Sequence, residues 1–332
     1  MKLSELPSSR VILILGAPRS GTSWLAKIFD SHPNVLYRHE PDTVLRTDTL
    51  PWMCTPEEVP RYRDAAEAYL RQLMDIATLK SAGSIPMFRK HYYGAIQSRA
   101  RSAFVYGLRI AELAGGARQL VRNVRIPDAF DAARHPEIRV VIKSVSSRGR
   151  ARLFAEALPG VRIIFILRDP FGQVASMLRG AKLSKFEDTV PVGEVLQTQQ
   201  ALQYGLTRQL FSSLPAVEQL AWNWAILNER AIGDLAGLET VRVVSYQQLG
   251  AEPAQESRAL FDFVGLDWDP QTEDFIRRST THSGRDRYYK VLKDTTAAMN
   301  RWRTELTRED QGRILAIVRQ TSLAQYCPEI EV

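Results

Sequence analysis

Four short runs of apolar residues recur along the chain, and each is followed by a turn and a segment of helical periodicity. They occupy residues 11–15, 139–142, 162–167 and 241–244 and are rich in Val, Ile and Leu. Continuous β-branched runs that alternate with helices are typical of strands buried on both faces. The pattern therefore predicts an α/β fold in which a parallel β-sheet is flanked by helices. A further short strand is expected at 35–37.

Two long segments interrupt this alternation. Residues 45–135 are mostly helical in pattern, and residues 180–213 are irregular. Excursions of this kind commonly cover the binding edge of a compact sheet. Because the sequence shows no internal repeat and no interdomain linker, we predict a single domain over 1–332. In this interpretation the two segments are insertions that cover the substrate, and the longer one forms a helical cap.

Composition narrows the class of protein. With 332 residues, of which 45% are hydrophobic, the chain can fill a sizeable core. Its two cysteines, Cys54 and Cys327, are too far apart for a disulfide framework or a CxxC site, and no His/Cys/Asp cluster has metal-ligand spacing. No segment approaches the roughly 18 apolar residues of a membrane helix, and the run at 11–15 is short for a signal peptide. We expect a cytoplasmic protein with no membrane span and no metal.

The excess of positive charge is concentrated in one segment. The chain has 44 Lys and Arg against 37 Asp and Glu, a net charge of +7, and residues 89–125 hold eight basic residues against the single acid Glu112. Such a cluster is most simply a solvated helix face, but it can also attract anions. The alternatives are a nucleic-acid interface and a site that recruits an acidic glycan. We favour the glycan and predict no nucleic-acid partner.

A glycine-bracketed loop joins the first strand to the first helix. It reads Gly16, Ala17, Pro18, Arg19, Ser20, Gly21, Thr22, Ser23, Trp24. A strand, such a loop and a helix N-terminus together form a P-loop-like phosphate site, in which backbone N–H groups and the helix dipole attract the anion. A Walker loop would have lysine at position 22. Without it, a kinase or NTPase, our alternative function, lacks a main charge-stabilising group.

A second anion-binding pair follows the third apolar run. Arg168 comes at the carboxyl end of that strand, where open α/β sheets bind ligands. Asp169 and Pro170 form a helix start, and Ser176 lies two turns further on. An arginine fork and a hydroxyl suit a phosphate. Together with the first loop, this pair predicts a nucleoside ligand with two separated phosphates.

These two motifs resemble the donor-binding motifs of sulfotransferases that use 3′-phosphoadenosine 5′-phosphosulfate (PAPS). Residues 25–41, with His32, Pro33, Glu40 and Pro41, are similar to the carbohydrate sulfotransferases in particular. The resemblance implies that sulfate is transferred from PAPS to a hydroxyl, leaving adenosine 3′,5′-bisphosphate. A carbohydrate acceptor is favoured, and a lipid, a phenol or a natural-product alcohol is the alternative. The sequence gives no signal for the oligomeric state.

The resemblance also implies roles for individual residues. Arg19 and the loop amides would hold the 5′-phosphosulfate, and Arg168 with Ser176 the 3′-phosphate. Trp24 would pack either on adenine or in the core. Lys143 would support the transferring sulfonate, and Arg287, in a basic loop, would close over the 3′-phosphate.

The acceptor hydroxyl needs a general base. Glu40 is our choice, because relatives carry a catalytic glutamate before proline here. His39 is the alternative, and since neighbours on an extended segment face opposite ways, we expect only one of them to face the donor. The sequence also departs from many relatives: after the last strand it has Gln247 and Gln248 in place of two acidic residues.

Overall fold

The computed structural model of the protein describes residues 2–113, 118–182, 192–281 and 295–326. Within these residues, five strands form one sheet in the order β2-β3-β1-β4-β5, and each adjacent pair is parallel. The strands are β1 Val11–Gly16, β2 Val35–His39, β3 Arg139–Ser144, β4 Arg162–Leu167 and β5 Val241–Ser245. The four apolar runs and the short segment at 35–37 are all strands, so the predicted parallel α/β fold is confirmed.

Helices make up most of the remaining described chain. They are α1 Thr22–Ser31, α2 Val59–Asp75, α3 Leu79–Ala82, α4 Ala95–Leu113, α5 Arg118–Asn123, α6 Ala151–Ala157, α7 Pro170–Lys182, α8 Val192–Val195, α9 Gln199–Gln203, α10 Arg208–Ser213, α11 Ala216–Leu235, α12 Tyr246–Ala251, α13 Pro253–Val264, α14 Pro270–Thr281, α15 Thr295–Asn300, α16 Trp302–Glu305 and α17 Arg308–Val318.

The central strand β1 is buried along its whole length, because helices cover both faces of the sheet. Its alternate side chains enter two different cores. Leu13 and Leu15 belong to the apolar cluster that contains α2 and α6, whereas Ile12 and Ile14 belong to the cluster that contains α1 and α13. A strand buried on both faces needs apolar residues at every position, which explains the unbroken run in the sequence.

The register of the sheet determines which loops meet. Leu15 of β1 lies opposite Ser144 of β3 and Phe165 of β4. The carboxyl ends of the three inner strands therefore finish at the same edge. The loop after β1, the end of β3 and the Arg168 turn after β4 meet at this edge, which we call the carboxyl edge.

The segment at 45–135 has two different parts. Helix α2 packs on α6, and its Tyr69, Leu70, Leu73 and Met74 belong to the main core. Helix α3 instead packs against the edge strand β2, and α4 and α5 pack on each other. The helices α3 and α4 therefore contribute to a smaller cluster outside the main core, although Tyr92 and Tyr93 between them belong to the main core.

Among the described helices, none combines the length and the apolar character that crossing a bilayer requires.

Candidate active site

The β1–α1 loop, residues 17–21, turns sharply between the central strand and the first helix. Arg19 and Gly21 have left-handed backbones, with φ of 70° and 95°. The Ser20 hydroxyl and the Ser20 N–H both donate to the Ala17 carbonyl, at 2.7 and 3.2 Å. These bonds hold the loop beneath the N-terminus of α1, whose first N–H groups have no intrahelical acceptor. Pro18 and Ser23 are half-buried around it, and Thr22, the first helical residue, is buried. The loop has the form of an anion-binding helix N-terminus.

The two glycines of this loop are required by close packing. A Cβ on Gly16 would lie 2.6 Å from the Ile166 carbonyl oxygen, and one on Gly21 would lie 2.3 Å from the ring of Tyr246. Tyr246 therefore forms one wall of the loop, a role that the sequence analysis missed. Its position directly after β5 was the signal that could have found it, because that position also lies at the carboxyl edge.

The tertiary structure brings the two predicted motifs into contact. Arg19 Nε donates to Ser176 Oγ at 3.0 Å, and Arg168 Nη1 donates to the Arg19 carbonyl oxygen at 3.1 Å. Asp169 begins α7 as predicted, since its Oδ1 accepts the Gly172 N–H at 2.6 Å. The loop and the Arg168 turn therefore form one site at the carboxyl edge.

Arg168 also links this site to other elements. Its Nη2 donates to the Ala298 carbonyl of α15 at 3.1 Å, and its guanidinium carbon lies 4.8 Å from the centre of the Tyr246 ring. Its Nε is buried, lies 3.9 Å from Asp169 Oδ2, and donates no hydrogen bond to the described part of the chain. A buried donor left without an acceptor costs about 1–3 kcal/mol, so the remaining donor fits an anionic ligand. Binding of the 3′-phosphate by Arg168 and Ser176 stays a prediction.

Gln247, one of the departures from the relatives, has a clear role in the structure. Its side-chain amide donates to Asp169 Oδ2, and its Oε1 accepts the Asp169 N–H at 3.3 Å. Burial raises the pKa of the Asp169 carboxyl. A neutral amide satisfies this buried carboxylate, whereas a glutamate at 247 would bring a second negative charge to it.

Trp24 packs as a core residue. It is 7% exposed, its Nε1 donates to Ser279 Oγ at 3.1 Å, and its ring meets Tyr246 edge-on with centroids 6.2 Å apart. These contacts agree with the second of the two predicted roles, packing in the core. Contact with adenine stays a prediction.

Glu40 and Lys143 form an ion pair at the same edge. The Lys143 ammonium donates to Glu40 Oε1, and the Glu40 N–H donates to the Lys143 carbonyl at 2.8 Å. Glu40 has a left-handed backbone with φ 45° and ψ 51°. The expectation that His39 and Glu40 lie on one extended segment is therefore wrong, because the chain turns at Glu40.

The pair controls the ionisation of Glu40. Burial raises the pKa of the Glu40 carboxyl, but the charges of Lys143 and His39 and the Lys143 hydrogen bond outweigh it and lower the pKa to about 2. The Glu40 side chain is 21% exposed and the Lys143 side chain 2%. The carboxylate is thus ionised at neutral pH and still reachable by a ligand.

His39 lies beside the pair and is held neutral. It lies opposite Lys143 in the β2–β3 register, and its Nδ1 is 2.7 Å from the Tyr37 hydroxyl. Burial lowers the pKa of His39 to about 4, and the Lys143 charge adds to the effect. The ring is therefore neutral at neutral pH, with one of its nitrogens already engaged by the Tyr37 hydroxyl, and the choice between Glu40 and His39 as the base stays a prediction.

Asp42 supports the turn after Glu40 and was not predicted from the sequence. Its Oδ2 accepts hydrogen bonds from the Ser144 hydroxyl and, at 2.8 Å, from the Ser147 hydroxyl. Burial raises the pKa of this carboxyl. These bonds tie the Glu40 turn to the end of β3, which carries Lys143.

The basic segment at 89–125 is not a uniformly solvated face. Arg109 donates to the Leu79 and Gly83 carbonyls and to Glu112, which also accepts from Arg122 at 2.6 Å. Lys90 is buried against α1. Much of the positive charge in this segment therefore holds the α3–α5 region together, which weakens the interpretation as a nucleic-acid interface.

The structure brings together all but one of the sequence-predicted site residues. Arg287 falls in 282–294, outside the described residues. The others lie in the β1–α1 loop, at the start and in the second turn of α7, and in the Glu40 turn beside β3.

Comparison with known proteins shows the family of the chain. The profile described as "Sulfotransferase family" matches residues 11–270, which include the loop, Glu40, Lys143 and Arg168. The chain belongs to the sulfotransferase family. It is an enzyme of that family, and the predicted membership is confirmed.

Individual relatives of this sulfotransferase are distant. It is 22% identical over 322 residues to carbohydrate sulfotransferase 1 of Danio rerio, covering 90% of this chain and 73% of the relative. It is 25% identical over 293 residues to carbohydrate sulfotransferase 6 of Homo sapiens, covering 82% and 68%. Among solved structures, the sulfotransferase domain of the Synechococcus PCC 7002 olefin synthase superposes with a TM-score of 0.46 at 18% identity, covering 93% of each chain.

Proposed function

We propose that this sulfotransferase transfers the sulfuryl group of PAPS to a hydroxyl of a carbohydrate acceptor. The observation that carries the proposal is the contact between Arg19, Arg168 and Ser176 beside the N-terminus of α1. Two cationic side chains, a hydroxyl and a helix N-terminus at one edge suit a ligand with more than one anionic group. The Walker alternative is weaker, since position 22 is Thr.

Different residues would hold the two anionic ends of the donor. Arg19 and the amides of the β1–α1 loop would bind the 5′-phosphosulfate, and Ser176 with the remaining Arg168 donor the 3′-phosphate. When bound, PAPS supplies an activated sulfuryl group. The protein's contribution is then positioning and charge stabilisation, which dominate in transfers of charged groups between oxygens.

Glu40 would accept the proton of the acceptor hydroxyl. While Lys143 holds it, the pKa of Glu40 is about 2, which makes the carboxylate a weak base at neutral pH. A general base works best when its pKa is near the working pH. Lys143 would therefore turn from Glu40 toward the negative charge of the transferring group. Once Lys143 has turned away, burial raises the pKa of Glu40 and the Lys143 charge no longer lowers it.

Two observations support a carbohydrate as the acceptor. The relatives named above are carbohydrate sulfotransferases. In addition, Lys80 on the α3 helix lies near Glu40: burial lowers the pKa of its ammonium, and the Glu40 charge opposes that shift. A cation beside the base suits a polar or acidic acceptor better than a purely apolar alcohol.

The test has a binding arm and a transfer arm. Adenosine 3′,5′-bisphosphate should raise the melting temperature of the protein in a saturable way, and Arg19→Ala should remove most of that effect. The exposed Arg319, at the end of α17, provides the control: Arg319→Ala should behave as wild type. No protection of wild-type protein by the nucleotide would overturn the donor assignment.

Transfer from labelled PAPS is then measured over glycans, sterols, phenols and alkyl alcohols. Labelled glycan is the expected product, and Glu40→Gln should lower turnover by about 10²–10⁴-fold while nucleotide protection remains. Transfer only to phenols or sterols would overturn the acceptor class and leave the donor assignment standing. Mg²⁺-dependent ATP turnover without sulfuryl transfer would favour the NTPase alternative.

A further inference from the structure

Helix α4 turns most of its charged side chains toward the protein and its apolar side chains toward solvent, which reverses the usual arrangement. An ordinary surface helix buries an apolar stripe and exposes its charges. In α4, however, Glu112 is buried, and Arg101 and Arg109 donate to backbone carbonyls at the end of α3, at 3.3 and 3.0 Å. Arg99 is the only charged residue of this helix that is exposed.

The outer half of α4 is a continuous apolar surface. Its most exposed large side chains are Ile96 at 84%, Ile110 at 69% and Leu113 at 86%. Small and aromatic residues, all exposed, occupy positions between them, namely Ala100, Ala103 and Phe104. With about 3.6 residues per turn, these six residues fall on one side of the helix axis and extend over about 25 Å. We call the surface that they form the α4 face.

Elements packed beside α4 also expose apolar side chains. Leu120 of α5 is 75% exposed, and α5 packs on α4. Ile85, which is 43% exposed, belongs to the segment whose Met87 N–H donates to the Tyr106 hydroxyl of α4 at 3.4 Å. Contiguous exposed apolar surface is characteristic of a site that contacts a partner or a membrane. The α4 face therefore has the character of a docking surface.

The charge around the α4 face is positive. Glu112, the single acid of the basic segment, contacts Arg109, Arg118 and Arg122 at 2.6, 3.8 and 2.6 Å. Because three guanidinium groups share one carboxylate, a surplus of positive charge remains at the end of α4, and the Arg118 side chain is 66% exposed. Arg99 adds another cation on the outer half of the helix and forms no ion pair within the described part of the chain. An anionic surface would therefore be attracted to this side of the protein.

An anionic lipid surface matches both the apolar and the basic character of this face. The apolar side chains of an interfacial helix enter the boundary between the headgroups and the acyl chains, while its arginines reach the lipid phosphates. A nucleic acid would match the positive charge but would leave the apolar side chains uncovered. A second copy of the chain would cover the apolar side chains but would bring two identical basic borders together, and like charges repel. The charge thus favours the lipid surface over a second copy.

We propose that the α4 face docks on a membrane surface that contains anionic phospholipid. In this arrangement α4 lies in the plane of the interface, with Ile96, Ile110 and Leu113 in the apolar boundary and Arg99 and Arg118 at the level of the phosphates. The contact is peripheral, and it does not depend on the assignment of the donor or of the acceptor.

The test measures co-sedimentation of the full-length protein with vesicles of phosphatidylcholine alone and with vesicles in which a third of the lipid is phosphatidylglycerol. Wild type should bind the anionic vesicles about tenfold more tightly or better, and added salt should weaken that binding. Ile110→Asn should weaken it about tenfold, and Arg99→Gln severalfold. Leu202→Asn on α9 is the matched apolar control, because Leu202 and Ile110 are both 69% exposed. Arg319→Gln, at an exposed position, is the charge control, and both controls should bind as wild type.

Several results would overturn the proposal. They are the absence of vesicle binding by wild type, equal binding to the two kinds of vesicle, and equal binding by Ile110→Asn and Leu202→Asn. A dimer in ultracentrifugation that only Ile110→Asn dissociates, without vesicle binding, would assign the face to a second copy instead. If Ile110→Asn does not fold, Ile96→Asn decides, because Ile96 is 84% exposed. Failure of the proposed function appears separately, as the absence of nucleotide protection in a measurement without vesicles.

Discussion

The ion pair between Glu40 and Lys143 gives the sharpest quantitative prediction. The pKa of Glu40 is lowered from its ordinary 4.5 to about 2. At 1.36 kcal/mol per unit, a shift of about 2.5 units corresponds to about 3 kcal/mol of stability at neutral pH. Because the folded-state pKa is depressed, this stability is present above pH 4.5 and is lost as the pH falls toward 2. About 1 kcal/mol should remain at pH 3.

A double-mutant cycle measures this coupling. Glu40→Gln, Lys143→Met and the double variant are unfolded by denaturant at pH 7 and pH 3, and the coupling free energy is taken from the four stabilities. The cycle is needed because each single substitution also leaves a buried group without its partner. We expect a coupling on the order of 3 kcal/mol at pH 7 and a clearly smaller one at pH 3, where the Glu40 carboxylate begins to be protonated.

The exposed pair Arg258 and Glu273 is the control, with side chains 49% and 59% exposed. Its coupling should be below about 1 kcal/mol at both pH values, because solvent screens it. A coupling for Glu40 and Lys143 no larger than that of the control would refute the reasoning. So would a coupling that does not change between pH 7 and pH 3.

Three further predictions concern the same edge of the sheet. Gly21→Ala should lower the free energy of unfolding by about 2 kcal/mol and abolish nucleotide protection, because its Cβ would enter an aromatic ring; Gly107→Ala, with open space around it, should not. Gln247→Glu should be destabilised at pH 7 and recover toward pH 5 in denaturation experiments, because two carboxylates there raise the folded-state pKa of Asp169. His39→Asn should leave the shape of the pH–rate profile between pH 5 and 8 unchanged, because the pKa of His39 is about 4 and the ring is already neutral there.

Much of the carboxyl edge could be predicted because it is encoded locally. A buried parallel strand needs an unbroken apolar run, and a tight strand-to-helix turn needs glycine where the backbone is left-handed, as at Gly21. Parallel strands end at one edge, so Arg19 and Arg168 could be expected to meet before any distance was known. The hydrogen bond from Arg168 Nη1 to the Arg19 carbonyl oxygen confirms that expectation.

Other features could not be predicted, because they depend on residues far apart in the sequence. The pKa of Glu40 is set by Lys143, 103 positions away, and the loop is walled by Tyr246 from beyond β5. The segment at 45–135 looked uniform, yet α2 joined the main core and α3 packed on β2. An amphipathic pattern shows that a helix has an apolar face but not which surface that face will meet.

By itself, then, the sequence determined the strands, the turn chemistry and the residue types of the proposed donor site, since each follows from hydrophobic periodicity and backbone sterics over a few positions. The tertiary structure decided which charges are paired. It holds Glu40 against Lys143, and it uses Lys90, Arg109 and Arg122 of the basic segment in internal contacts. Electrostatic energies depend on distance and burial in three dimensions, and neither quantity is contained in a local pattern.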